Sequence, residues 1–142
     1  MYPIDLVLPM KKELTNVGFK EVVDPKDVEK EITSQGTTLV VVNSVCGCAA
    51  RNARPAAKMA LENTKSKPDH LITVFAGVDT EATAKAREFM LPYPPSSPAM
   101  ALFKDGELVH MIERHHIEGR PAEMIADNLL MAFEEFCSVE KV

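Results

Sequence analysis

An α/β fold, a central mixed β-sheet with helices on both faces, is predicted by two features of the sequence. Apolar runs rich in β-branched residues, at 39–42 and 70–76, alternate with segments of helical periodicity. Such alternation forces parallel pairing through right-handed crossovers. The second feature is Lys104-Asp105-Gly106-Glu107, which separates two further strand-like runs. Asp-Gly in that setting is a strong hairpin signal and adds antiparallel strands to the sheet.

Taken in order, Val7, Met10, Leu14 and Val17 recur at helical spacing and Gly18 can close the segment. Residues from about 5 to 17 therefore form an amphipathic helical extension ahead of the sheet. Pro9 then belongs near its first turn, or the helix starts later, because an interior proline removes a hydrogen bond. Residues 19–23 are a weakly marked strand. Asp24 is a good N-cap with Pro25 at the first helical position, Val28 and Ile32 share a face, and Gly36 ends this second helix. The run at 39–42 is too short for a core helix and reads as a buried strand, and residues 49–62 read as the helix after it. Pro55 inside that helix should bend its axis. A polar linker at 64–69 leads to the strand at 70–76. Asp79 caps a helix from Thr80 to about Met90 with Ala82, Ala86 and Phe89 inward. Residues 91–98 hold Pro92, Pro94, Pro95 and Pro98 and form an irregular loop. The hairpin pairs 99–103 with 108–113, and Pro121 opens a closing helix with Ile125, Leu129 and Phe133 or Phe136 on one stripe.

With 142 residues the chain suits one domain, 1–142, and nothing in its composition divides it. A net charge of −5 argues against a nucleic-acid-binding surface. No apolar run approaches the roughly 20 residues that span a bilayer. The start, MYPIDLVLPMKKEL, lacks the basic beginning and longer apolar stretch of a secretory signal, so a cytoplasmic location is expected. In that reducing compartment a close cysteine pair is catalytic, redox-sensing or metal-binding rather than a structural staple.

The chemistry centres on Cys46-Gly47-Cys48, at the corner between the buried strand and the helix after it. Free backbone N–H groups and the positive end of the helix dipole favour a thiolate there, and Arg51 and Arg54 add positive charge. A Cys46–Cys48 disulfide would close a loop of about three residues, too short to stabilise the fold much and prone to strain. Strained, exposed disulfides are the easily reduced kind, so the pair suits switching. Gly47, without a Cβ, lets the flanking sulfurs approach. Thiol–disulfide exchange follows as the leading reaction. The plainer alternative is two buried thiols at a tight turn, but the corner and the helix start favour exposure. A metal module of Cys46, Cys48 and one of His115 or His116 is another class of reading, although no spacing matches an established metal motif and no metal site is assigned. A third class is an interaction domain whose cysteines sense oxidant. Cys137, near the end of the closing helix, reads as a structural thiol, and the eight methionines are scattered as core filling.

The order of elements resembles a thioredoxin fold, with SPAMALFKDGE as its later proline, strand and hairpin. The nearer resemblance is to the thioredoxin-like bacilliredoxin family, which has a Cys-Gly-Cys active site. NSVCGCAARNARPA, placed after TTLVVVNS, carries it, and the likeness runs over nearly the whole chain. The resemblance implies a cis peptide at Pro98, preceded by Ser97, facing the cysteines. It implies reduction of mixed disulfides between protein cysteines and bacillithiol. Cys46 is then the attacking thiolate and Cys48 the resolving thiol, a step that free bacillithiol could perform instead. Bacillithiol is the thiol co-substrate, no cofactor is tightly bound, and the partners are S-bacillithiolated or disulfide-bonded proteins. The family's link to disulfide isomerisation keeps protein disulfides open as substrates. The chain departs from ordinary thioredoxin in having no Cys-x-x-Cys, no tryptophan and no acidic residue in the central strand.

Overall fold

The computed structural model describes residues 2–137. Along the chain the elements are α1 (Ile4–Thr15), β1 (Lys20–Glu21), α2 (Pro25–Thr33), β2 (Thr37–Asn43), a π-helical turn (Ala49–Ala53) running into α3 (Arg54–Asn63), β3 (His70–Phe75), α4 (Thr80–Phe89), β4 (Ala99–Lys104), β5 (Glu107–Ile112), α5 (Arg114–Ile117) and α6 (Ala122–Phe136). The strands make one five-stranded sheet in the order β1-β3-β2-β4-β5. β1 and β2 run parallel to β3, whereas β4 is antiparallel to both β2 and β5. The predicted mixed sheet is therefore present.

All seven residues of β2 are buried, as a strand covered on both faces requires. Its side chains alternate between two cores. Leu39 and Val41 pack with Leu14 of α1, Ala56, Ala57 and Ala60 of α3, and Leu129 and Phe133 of α6. Val40 and Val42 pack with Val28 and Ile32 of α2 and Ala82 and Ala86 of α4. The period of two in the strand thus places helices on both sides. At the hairpin, Asp105 and Gly106 both have positive φ, the conformation of a tight two-residue turn. Asp105 also accepts a hydrogen bond from the Gly36 N–H at 2.8 Å, tying the hairpin to the start of β2.

Several local expectations are corrected by tertiary contacts. α1 begins at Ile4, so Pro9 lies beyond the first turn and inside the helix. The lost hydrogen bond is offset by burial of Val7 and Leu14 and by Lys11, which pairs with Glu21 and Asp79. Asp79 occupies the N-cap position of α4, but its carboxylate makes no cap bond and instead accepts from Lys11 Nζ at 3.0 Å. The strand expected over 19–23 reduces to Lys20–Glu21 at the sheet edge. Pro55 sits at the first turn of α3, after a π turn in which the Arg54 N–H bonds to Ala49 O, five residues back. A residue without an N–H is best placed at such a change of winding, so Pro55 opens α3 rather than lying inside a helix that starts at Ala49. Ser97–Pro98 is cis, and so is Leu91–Pro92, which the sequence did not signal.

Candidate active site

Strand register gathers the site on one edge of the sheet. β2 ends at Asn43 and the cysteine corner follows, while the antiparallel pairing sets Val42 opposite Ala99. Pro98 and Ser97 therefore emerge beside the cysteines. Met100 in turn faces Ile112 across the hairpin, so Glu113 and Arg114 leave β5 at that same edge. This is the carboxyl end of a central parallel strand, where α/β sheets carry their ligand sites.

Arg54 holds the corner from beneath. Its side chain is 3% exposed, and its Nη1 donates to Asn43 Oδ1 at 2.9 Å and to Ser44 O at 3.0 Å. Asn43 Oδ1 also accepts from the Ser44 N–H, and Ser44 Oγ accepts from the Cys46 N–H at 3.0 Å. Glu13 Oε1 lies 3.2 Å from Arg54 Nε and balances its charge. Arg54 thus braces the loop that carries Cys46 rather than facing the sulfurs. Arg51 goes the other way: its guanidinium lies against Gly47, with Nη2 3.6 Å and Cζ and Nε 4.0 Å from where a Cβ would stand. In an α-helix these two arginines would lie about 60° apart; the wider π turn separates them further and sends one inward and one outward. Arg54→Ala is expected to destabilise the fold by about 2–4 kcal/mol, because Asn43 and Ser44 lose their partner in a buried site. Arg51→Ala should stay within about 0.5 kcal/mol. Urea unfolding of the two variants checks this, and equal midpoints would contradict it.

The two thiols are inequivalent. Cys46 is held below the usual thiol range, first by the Cys48 N–H, which donates to its Sγ at 3.4 Å. Burial opposes this, and the Cys48 thiol, the Arg114 guanidinium and the Ala49 N–H add to it. Cys48 is pushed up, chiefly by sharing its proton with Cys46 and then by burial and the Cys46 charge. Of the two, Cys46 is the thiol that ionises more readily, and the Cys48 N–H and thiol stabilise its anion.

Arg114 is the residue that local sequence reasoning missed. Besides its charge on Cys46, its Nη1 donates to Ser97 O at 3.2 Å and its N–H to Ser96 Oγ at 3.3 Å, joining the cis-proline loop to the start of α5. Counting back across the Asp-Gly hairpin places residue 114 opposite residues 97–98, a signal that was available. His115 and His116 fall in α5, a short helix the sequence did not announce. His116 Nδ1 accepts from the Glu113 N–H at 3.1 Å and so caps that helix. Among the described residues the one three-member grouping of potential metal ligands is Glu113, His115 and His116, and neither Cys46 nor Cys48 belongs to it. Cys137 ends α6, packs partly buried against the core, and burial pushes its thiol up.

A cleft of about 500 Å³ opens over the motif, lined by Cys46, Gly47, Cys48, Arg51, Asn52 and residues 119–121. Such a volume takes a small molecule beside the thiolate. Thiol exchange is what this set of groups can perform.

Comparison with known proteins agrees with this geometry. A family model described as disulphide isomerase matches residues 2–137. A bacilliredoxin of Cytophaga hutchinsonii is 61% identical over 135 residues, covering 95% of this chain and 99% of its own length. A bacilliredoxin of Halalkalibacterium halodurans is 57% identical over 137 residues, covering 96% of this chain and 94% of its own. The solution structure of oxidised thioredoxin from Plasmodium falciparum matches with a TM-score of 0.58 at 18% identity, over 85% of this chain and 100% of that one, a likeness of fold. The chain therefore belongs to the bacilliredoxins of the disulphide isomerase family, thiol–disulfide oxidoreductases built on a thioredoxin fold.

Proposed function

We propose that this protein reduces mixed disulfides between cytoplasmic protein cysteines and bacillithiol, with Cys46 as the attacking group. The observation that carries the reading is the convergence of the Cys48 N–H and the Cys48 thiol on the Cys46 sulfur at an open corner. The Cys46 thiolate attacks the bacillithiol sulfur of the mixed disulfide. A new S–S bond forms between Cys46 and bacillithiol, the old one breaks, and the substrate protein leaves as a thiolate that takes up a proton. Cys48 then resolves the adduct. Its thiol is held up mainly by its neighbour's sulfur, and that restraint disappears once Cys46 is capped and uncharged. Loss of its proton lets Cys48 attack Cys46, forming the Cys46–Cys48 disulfide and releasing bacillithiol. A second bacillithiol attacking the adduct instead gives bacillithiol disulfide and restores both thiols.

Bacillithiol is thus a co-substrate, and the two-electron exchange calls on no tightly bound cofactor. The partners on this reading are S-bacillithiolated proteins. A cytoplasmic setting supplies the reduced thiol pool that it needs; among the described residues no helix is long and apolar enough to cross a membrane. A second reading, isomerisation of protein disulfides, is favoured by the same short Cys-x-Cys spacing, whose disulfide is easily reopened. The test is release of substrate thiol from a bacillithiol-capped protein, with bacillithiol supplied as reductant. Many turnovers per protein molecule are expected. Release no faster than the uncatalysed exchange, together with reactivation of a scrambled-disulfide protein, would replace the proposal by the second reading.

A further inference from the structure

We infer that Arg51 and Arg120 form a carboxylate clamp over Cys46, which selects low-molecular-weight thiols bearing carboxylate groups. The inference rests on the reading that Cys46 takes a small thiol onto its sulfur. The cleft has the cysteine motif as its floor, Arg51 and Asn52 of the π turn as one wall, and Gly119, Arg120 and Pro121 as the other. The walls are tied together, since Asn52 Nδ2 donates to Arg120 O. Both arginines are exposed, and among the described residues neither joins an ion pair. Among the described residues the Arg120 side chain makes only a long contact, from Nη1 to Met124 Sδ at 3.9 Å. No carboxylate lines the cleft, although the chain as a whole carries a net charge of −5. The charge that acts on the thiolate comes from Arg114, and Arg54 is engaged in the corner. Arg51 and Arg120 are thus exposed cations, outside any ion pair among the described residues, lining the cleft that holds the reacting sulfur.

A guanidinium binds a carboxylate through two parallel N–H donors. A thiol bonded to Cys46 has its sulfur on the cleft floor and its remaining atoms between the walls. A carboxylate borne by that thiol enters the cleft that both arginines line. Carboxylates can also arrive on acidic side chains flanking the target cysteine of a protein substrate. A cleft of this size, floored by the motif itself, favours the small thiol.

The experiment measures the rate at which small symmetrical disulfides modify Cys46, read by intact mass in a Cys48→Ser background, so that no turnover is needed. Dithiodipropionate carries the carboxylates, hydroxyethyl disulfide is neutral, and cystamine is cationic. Dithiodipropionate is expected to react faster than hydroxyethyl disulfide, and cystamine slowest. The dithiodipropionate-to-hydroxyethyl ratio should fall about tenfold in Arg51→Ala/Arg120→Ala, the effect of two exposed charge pairs together. Lysines at both positions should restore part of it. An unchanged ratio overturns the clamp. So does a double variant that leaves the ratio intact but slows reaction with a neutral-capped peptide bearing acidic flanks. If bacillithiol-capped proteins are not turned over while the ratio behaves as expected, the proposed function fails and the clamp stands.

Discussion

Cys46→Ser is expected to lower disulfide exchange by on the order of 10³-fold or more, to the uncatalysed background, with the fold intact. The thiolate is the nucleophile. A serine hydroxyl in the same corner keeps its proton near neutral pH, so the donors that converge on residue 46 have no anion to stabilise. Cys48 cannot take over. The backbone N–H that lowers the thiol of Cys46 is that of Cys48 itself, so it serves residue 46. Residue 46 is partly buried and no core side chain depends on it, so circular dichroism and urea unfolding should match the wild type. The measurement is initial rate of substrate thiol release. Wild-type rates from Cys46→Ser would end the assignment of the attacking residue.

Arg114→Ala is expected to move the pH profile of Cys46 upward. A lowered thiol pKa means that the reactive anion persists to lower pH than for an ordinary cysteine, so the rate of alkylation falls only on stronger acidification. The Arg114 charge contributes to that lowering, after the Cys48 N–H and thiol. Without it the thiolate is protonated at higher pH, and reactivity near neutral pH should drop several-fold and recover in mild alkali. The guanidinium also donates to Ser97 O, so a purely structural loss is separated by Arg114→Lys. That variant keeps the charge while losing the fork, and should retain much of the wild-type profile. Iodoacetamide labelling of Cys46 against pH, read by peptide mass, makes the comparison. Superimposable profiles for wild type and Arg114→Ala would contradict the electrostatic role.

What could be read from the sequence was whatever its local pattern determines. The apolar run of β2 and the Asp105-Gly106 turn carry their own geometry, and together they set the mixed sheet. The cysteine pair declares its chemistry because its spacing suits no staple. Residues joined by packing were hidden, and those joined by register needed the pairings to be counted. Arg114 reaches the site through two strand pairings, β2 with β4 and β4 with β5. Arg51 and Arg54 look alike in sequence, and only the π turn before Pro55 sends one over Gly47 and the other beneath the corner. α5, at four residues, is too short to show a period. Asp79 has the position of a cap, yet Lys11 claims its carboxylate across 68 residues of chain. The cis peptide at Pro98 was expected from the family likeness, since nothing in the residues beside it distinguishes it from the other prolines of that loop. The far wall of the cleft, at residues 119–121, had no signal in the sequence at all.

The most direct test of the central claim is the intact mass of reduced Cys48→Ser after mixing with a bacillithiol-capped substrate protein. Without its resolving thiol the protein should accumulate one bacillithiol, mapped to Cys46 by peptide mass, while an equal amount of substrate returns to its free thiol. A substrate that stays capped, with no adduct on Cys46, would contradict the account.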